Sequence, residues 1–245
     1  MGGEIHKTTH KPIETVSDKN NGDGHTEIGT VLETVKNLTS NTITYIENKN
    51  KAQEEEYVDI IDENGKETGE SETKKNVHEN GGKWHKAALV WILKEGKLLF
   101  QERSKETNFS GLLDVSAAGH IKSGETEIIG AIREIGEELG LRVDMKNLIL
   151  LKVEKIVKSY PEINYYEKEF VYIYLLHDDN LNMDDIKFND GEVTSVQLID
   201  INKFKNDLNG DEKKRYFDND QIYISSLEQI NKYLLLKKSK GTQEY

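Results

Sequence analysis

Among its 245 residues the chain has no cysteine. A disulfide framework and thiolate catalysis are therefore both excluded, and a reducing compartment is the natural setting. Long apolar runs are also missing: no stretch approaches the roughly 18 residues that a membrane-crossing helix needs. The opening segment, Met1-Gly-Gly-Glu-Ile-His-Lys, lacks the basic start and apolar run of a secretory signal. The expectation is a cytoplasmic protein that contacts no membrane. Basic charge is in deficit, with a formal net charge of −12. Nucleic acid is thus not an expected partner, because such binding depends on lysine and arginine displacing counterions from phosphates. A polyanionic substrate would need local help, which a divalent cation held by carboxylates supplies.

What is present divides the chain into three parts. Residues 1–53 are rich in Asn, Thr, Lys, Glu and Asp, and read as a polar, flexible extension that cannot build its own core. Within it Ile28, Val31, Leu32, Val35 and Leu38 follow helical spacing, which predicts a short amphipathic helix able to dock on the main domain or on a partner. Residues 54–205 carry globular patterning. Tyr57 to Ile61 reads as a strand leading into a tight turn at Asn64-Gly65. Ala87 to Leu93 and Leu98 to Gln101 read as antiparallel strands joined by a glycine turn. Further strands are predicted over 148–157, 169–176 and 192–199. Residues 206–245 form a helical region expected to pack on that domain, with Leu227, Ile230, Leu234 and Leu235 at helical spacing. The fold class is mixed α/β.

The segment that carries chemistry runs from Gly119 to Leu141. Ile128, Ile132, Ile135 and Leu139 recur at steps of four, three and four, a stripe that can pack on a sheet, and Gly140 suits the left-handed cap of such a helix. Glu134, Glu137 and Glu138 are three and four residues apart, so their carboxylates converge beside the stripe. Clustered like charges are costly, and a hard dication with oxygen preference relieves them. Arg133 can reach back to Glu125 and fix the preceding loop against the helix, a structural role. A solvated acidic face is the bland explanation of any such glutamate triplet.

The whole segment nevertheless resembles the Nudix box at each defined position: Gly119, Glu125, Arg133-Glu134, Ile135, Glu137-Glu138, Gly140 and Leu141. The resemblance implies an α/β/α sandwich with a mixed sheet, and hydrolysis of a phosphoanhydride bond in a nucleoside diphosphate or derivative. It further implies Mg²⁺, with Mn²⁺ as a substitute, held by Glu134, Glu137, Glu138 and the Gly119 carbonyl. Glu134, Glu138 and a glutamate outside the box are then the catalytic carboxylates. Glu169, which shares a strand face with Glu167, is the choice for that outside position. Arg103, at a strand end, is a candidate substrate-phosphate contact because its fork grips two oxygens, and a surface salt bridge is the competing explanation.

A narrower resemblance, through Tyr57-Val-Asp-Ile-Ile-Asp-Glu, Val77-His78, His85-Lys-Ala, Leu99-Phe-Gln-Glu-Arg103-Ser104 and Ala118-Gly119-His120, is to the branch related to isopentenyl-diphosphate isomerase. That enzyme uses a Cys where this chain has Ala118, which counts against isomerisation. His78, His85, His120, Glu167 and Glu169 stand where its ligands and acid are expected. For His78 and His85 a surface or satisfied core role is the favoured reading, since a lone histidine is more often that than a ligand, and whether they cluster with His120 into a second metal site is left open by the sequence. The rival from another class is a catalytically idle Nudix fold that binds nucleotides or regulates. Neither the substrate nor the oligomeric state is legible, and a homodimer is compatible with the chain.

Overall fold

The computed structural model describes residues 55–105, 107, 109–217 and 220–241. The extension and its amphipathic segment at Ile28 to Leu38 lie outside the described residues. Strands β1 (Tyr57–Ile61) and β2 (Glu67–Thr73) form an antiparallel hairpin. Its turn is set by Asp62, whose side chain accepts from the Asn64 and Lys66 N–H groups, with Gly65 at φ 83°. A short 3₁₀ turn, Asn76–His78, leads on to β3 (His85–Lys94) and β4 (Lys97–Arg103).

The strands that follow are β5 (Leu113–Asp114), β6 (Ala117–His120), β7 (Leu148–Tyr160), β8 (Tyr165–His177) and β9 (Val193–Asp200). Among the described residues β3 to β9 make one sheet in the order β5-β4-β3-β8-β7, with β6 also on β3 and β9 also on β4. Only β3 and β8 run parallel; the other pairs are antiparallel, so the sheet is mixed as expected.

The helices are α1 (Glu127–Leu139), α2 (Ile201–Asp207) and α3 (Asp220–Gly241). Because successive strand side chains point to opposite faces, β3 feeds two cores. Ala88, Val90 and Ile92 pack with Ala131, Ile135 and Leu139 of α1. Ala87, Leu89, Trp91 and Leu93 pack with Phe204 of α2 and with Tyr223, Leu227 and Ile230 of α3. Trp91 lies at the centre of the second core, edge-on to Phe100 and Tyr223. The layers are therefore helix, sheet, helix. Among the described residues no helix is long and apolar enough to cross a membrane.

The stripe on α1 is rotated from the one its aliphatic spacing suggests. Ala131, Ile135 and Leu139 are fully buried, whereas Ile129 is exposed and Ile128 and Ile132 are only partly covered. Glu134 and Glu138 share the buried side. The helix ends at Gly140, φ 67°, whose N–H bonds the Gly136 carbonyl.

Candidate active site

Two groups of side chains meet where β6 passes α1. The first is the glutamate cluster. Glu134 and Glu138 are 8% and 3% exposed, and Glu137 is considerably more open. A Cβ at Gly119 would lie 2.2 Å from Glu134 Oε1, so only glycine leaves room for this carboxylate against β6. Glu138 Oε2 accepts from the Ala118 N–H at 3.0 Å and from Gln101 Nε2 at 3.4 Å.

Arg133 organises the rest of the cluster. It donates through Nε to Glu125 at 2.9 Å, through Nη1 to Glu134 at 2.6 Å and Glu137 at 2.8 Å, and through Nη2 to the His120 carbonyl at 2.7 Å. Glu125 Oε2 also accepts from the Lys122 N–H, which closes the loop ahead of α1. Burial pushes the Glu134 carboxyl up to about 7, with Arg133 opposing. Glu138 is driven well above the ordinary range by burial and then by the charge of Glu134. Two buried acids that resist ionising together form a donor set that a hard dication fits, since it removes both penalties at once.

The second group brings together the histidines whose clustering the sequence left open. His78, His85, His120 and Glu169 each offer a ligand atom, all within 4.8 Å of one another. In the sheet, His85 is directly opposite Glu169 across β3 and β8, and His120 is opposite Ala87, two residues further along β3 on the same face. The sequence separations could not show this, because the central strand collects its partners from distant parts of the chain. His85 Nδ1 is 2.8 Å from the Lys83 carbonyl and His78 Nδ1 is 2.9 Å from the Tyr166 carbonyl. Donation from both Nδ1 atoms to those carbonyls turns the Nε2 lone pairs inward. There His78 Nε2 is 2.9 Å from His120 Nε2, and His85 and His120 Nε2 are 3.4 and 3.8 Å from Glu169.

Burial lowers His78, and burial together with the neighbouring His85 lowers His120 well below the usual histidine value. Burial pushes the Glu169 carboxyl up, but contact with His85 reverses this and holds it below the ordinary range. Inward-facing imidazoles beside a carboxylate can hold a metal that accepts nitrogen ligands. Glu167 stays outside this group; burial and then Glu169 push its carboxyl up to about 7.

Both groups open on one cavity of about 490 Å³. Gly119, Glu138, His78 and His120 line it together with the aromatic residues Phe109, Tyr165 and Phe217. Arg103 also lines it, bonded to Asp114 at 2.9 Å and stacked 5.0 Å above the Phe217 ring. Both the phosphate contact and the salt bridge foreseen for this arginine are compatible with that position. Two lining residues had no signal in the sequence reading. Lys74 comes from the turn after β2; burial lowers its ammonium, but Glu192, Glu56, Glu134 and Glu138 more than reverse this. Glu192 stands immediately before β9, in a segment that reads only as a strand start.

Similar proteins are found by sequence and by fold. An uncharacterised Nudix hydrolase of Clostridium acetobutylicum is 36% identical over 172 residues, covering 68% of this chain and 76% of that one. An isopentenyl-diphosphate Delta-isomerase of Halorhodospira halophila is 38% identical over 87 residues, covering 35% of this chain and 49% of that one. A crystal structure from Deinococcus radiodurans shares the fold, with a TM-score of 0.54 at 19% identity, covering 70% of this chain and 98% of that one. The NUDIX domain profile matches residues 83–220, more than half of the chain. With its box helix, its mixed sheet and these relatives, the chain belongs to the NUDIX domain family and is a hydrolase of that family.

Proposed function

We propose that the chain hydrolyses a phosphoanhydride bond of a nucleoside diphosphate or derivative with Mg²⁺, for which Mn²⁺ can substitute. The observation that carries this reading is the buried Glu134 and Glu138 pair on α1, with Glu134 packed against Gly119 and Glu138 lining a cavity large enough for a small ligand. Glu134, Glu137, Glu138 and the Gly119 carbonyl would hold the metal. When bound, it polarises the phosphoryl oxygens and lowers the pKa of water in its coordination sphere.

The remaining work falls to this chain's own side chains. Arg133 holds Glu134 and Glu137 in place and balances their charge, while Glu125 fixes the loop between β6 and α1. Arg103 and Lys74, which also line the cavity, offer positive charge to substrate phosphates. The aromatic side chains Phe109, Tyr165 and Phe217 form a wall suited to a flat base.

A second ion is favoured by the histidine cluster, whose converging Nε2 atoms suit Zn²⁺ or Mn²⁺. Isomerisation of isopentenyl diphosphate is not proposed, because Ala118 at the cavity wall has no proton to give or accept. The test is a panel of nucleoside diphosphates, dinucleotides, sugar nucleotides and prenyl diphosphates with Mg²⁺ and with Mn²⁺, following phosphate release and resolving products by chromatography. Cleavage of a nucleotide class with no dimethylallyl diphosphate is the expected result. Silence on every phosphoanhydride would return the chain to the role of a binding module.

A further inference from the structure

Arg103 enters the cavity as the last residue of β4, its guanidinium 5.0 Å from the centre of the Phe217 ring and 2.9 Å from Asp114 Oδ2. Asp114 is buried on β5, which pairs with β4, so the direction of its carboxylate helps decide where the guanidinium points. That direction is set at the other oxygen. Oδ1 accepts from the Val115 N–H at 2.8 Å and from the Tyr223 hydroxyl at 3.2 Å, which leaves Oδ2 turned to the arginine. The torsion that swings an aspartate carboxylate is intrinsically broad, so two donors on one oxygen confine a plane that a single donor would let rock.

Tyr223 belongs to α3 and follows residue 220, where the NUDIX profile match ends. Its ring is fully buried, edge-on to Trp91 and Phe204, which gives the hydroxyl a fixed place in the core. Phenylalanine would meet the needs of packing. The hydroxyl adds one contact, and that contact goes to the carboxylate that holds Arg103. The chain just ahead of the helix grips the same strand, since the Phe217 N–H donates to the Leu113 carbonyl at 2.7 Å and Tyr216 forms a bridge with Leu113. The ring that Arg103 stacks on and the hydroxyl that orients Asp114 thus both come from the carboxyl-terminal segment.

We propose that Tyr223 is a positioning residue: through Asp114 it aims the Arg103 guanidinium at the substrate's phosphates, which makes α3 a working part of the site. The proposal rests on the reading of Arg103 as a phosphate contact of the hydrolase.

The experiment measures binding of methylenediphosphonate, a diphosphate that cannot be cleaved, by calorimetry in the presence of Mg²⁺. It uses the full-length wild type, Tyr223→Phe, Arg103→Gln and the double variant, with thermal melting followed in parallel and KM and kcat taken on the nucleotide class found in the panel. Arg103→Gln is expected to raise the dissociation constant by about 10- to 100-fold, and Tyr223→Phe by about 3- to 10-fold. KM should rise by the same factor in Tyr223→Phe while kcat stays within about threefold, as for a contact made equally in the ground and transition states. In the Arg103→Gln background the tyrosine substitution should add no further loss, because its effect passes through the arginine. Ser225→Ala removes a different contact of α3, the one with Lys152 at 3.1 Å, and should leave the diphosphate affinity at the wild-type value. An unchanged dissociation constant in Tyr223→Phe overturns the proposal, as does an equal loss on both backgrounds or an equal loss in Ser225→Ala, either of which would make the hydroxyl a purely structural contact. A wild type that does not bind the diphosphate overturns it too. A chain that cleaves nothing in the panel yet shows the Tyr223-dependent affinity removes the hydrolase reading and supports the positioning role.

Discussion

Arg133 Nε donates to both carboxylate oxygens of Glu125, eight residues earlier, at 2.9 and 3.2 Å. That contact ties the loop ahead of α1 to the helix, and the same guanidinium reaches Glu134, Glu137 and the His120 carbonyl. Removing it strands several partly buried acceptors. Arg133→Met is expected to cost about 3–5 kcal/mol in urea denaturation of the metal-free protein. Glu125→Gln added to it should cost little more, because the two residues share one network. Additive losses would show that the pair is not coupled.

Glu134 and Glu138 make a prediction about pH. Both carboxyls are raised by burial, Glu134 to about 7 from an ordinary 4.5. A raised acid binds its proton more tightly in the folded chain. Its stabilising contribution is therefore complete below about pH 4.5 and is lost as pH rises through about 7. With chelator present, wild type should lose thermal stability relative to a Glu134→Gln/Glu138→Gln variant across that window. Saturating Mg²⁺ should restore wild type more at pH 8 than at pH 5, since the metal competes with those protons. A pH-independent difference between the two proteins would contradict the burial argument.

Gly119 is predicted to tolerate no side chain. With a Cβ 2.2 Å from Glu134 Oε1, Gly119→Ala must push that carboxylate off its position or shift β6. Turnover should fall by at least about tenfold, because small displacements of catalytic groups are expensive. Gly124→Ala serves as the control for general strain, having nothing within 4 Å of its Cβ despite φ 81°. Full activity in Gly119→Ala would mean that the close approach has no bearing on catalysis.

The histidine cluster should be visible in metal content. Elemental analysis of protein equilibrated with Zn²⁺ or Mn²⁺ is expected to show an ion that His85→Ala and His120→Ala each lose. Glu134→Gln should retain it, because the two groups use different ligands. Equal metal content in all the variants would leave the imidazoles as a buried structural cluster.

The box was legible because its chemistry is local. Gly119 to Leu141 lie on one strand, loop and helix, where spacing alone decides which side chains meet, and Arg133 and Glu125 paired as their positions suggested. Apolar runs on either side of a glycine turn likewise located β3 and β4, and helical spacing located α3. Even so, the buried side of α1 was displaced from its aliphatic stripe, since packing on β6 favours Ala131 and the glutamates over Ile128 and Ile132.

By itself, then, the sequence determined the box, the absence of thiol chemistry and the strands on either side of the glycine turn, all properties of residue type or short-range spacing. Only the tertiary structure decided that His78, His85, His120 and Glu169 converge, that Lys74 and Glu192 face the box, and that Arg103 leans on Phe217. The reason is topological. β3 pairs with β6 on one side and with β8 in parallel on the other, so contacts at its end join residues tens of positions apart, and no local periodicity records which strands a central strand will choose.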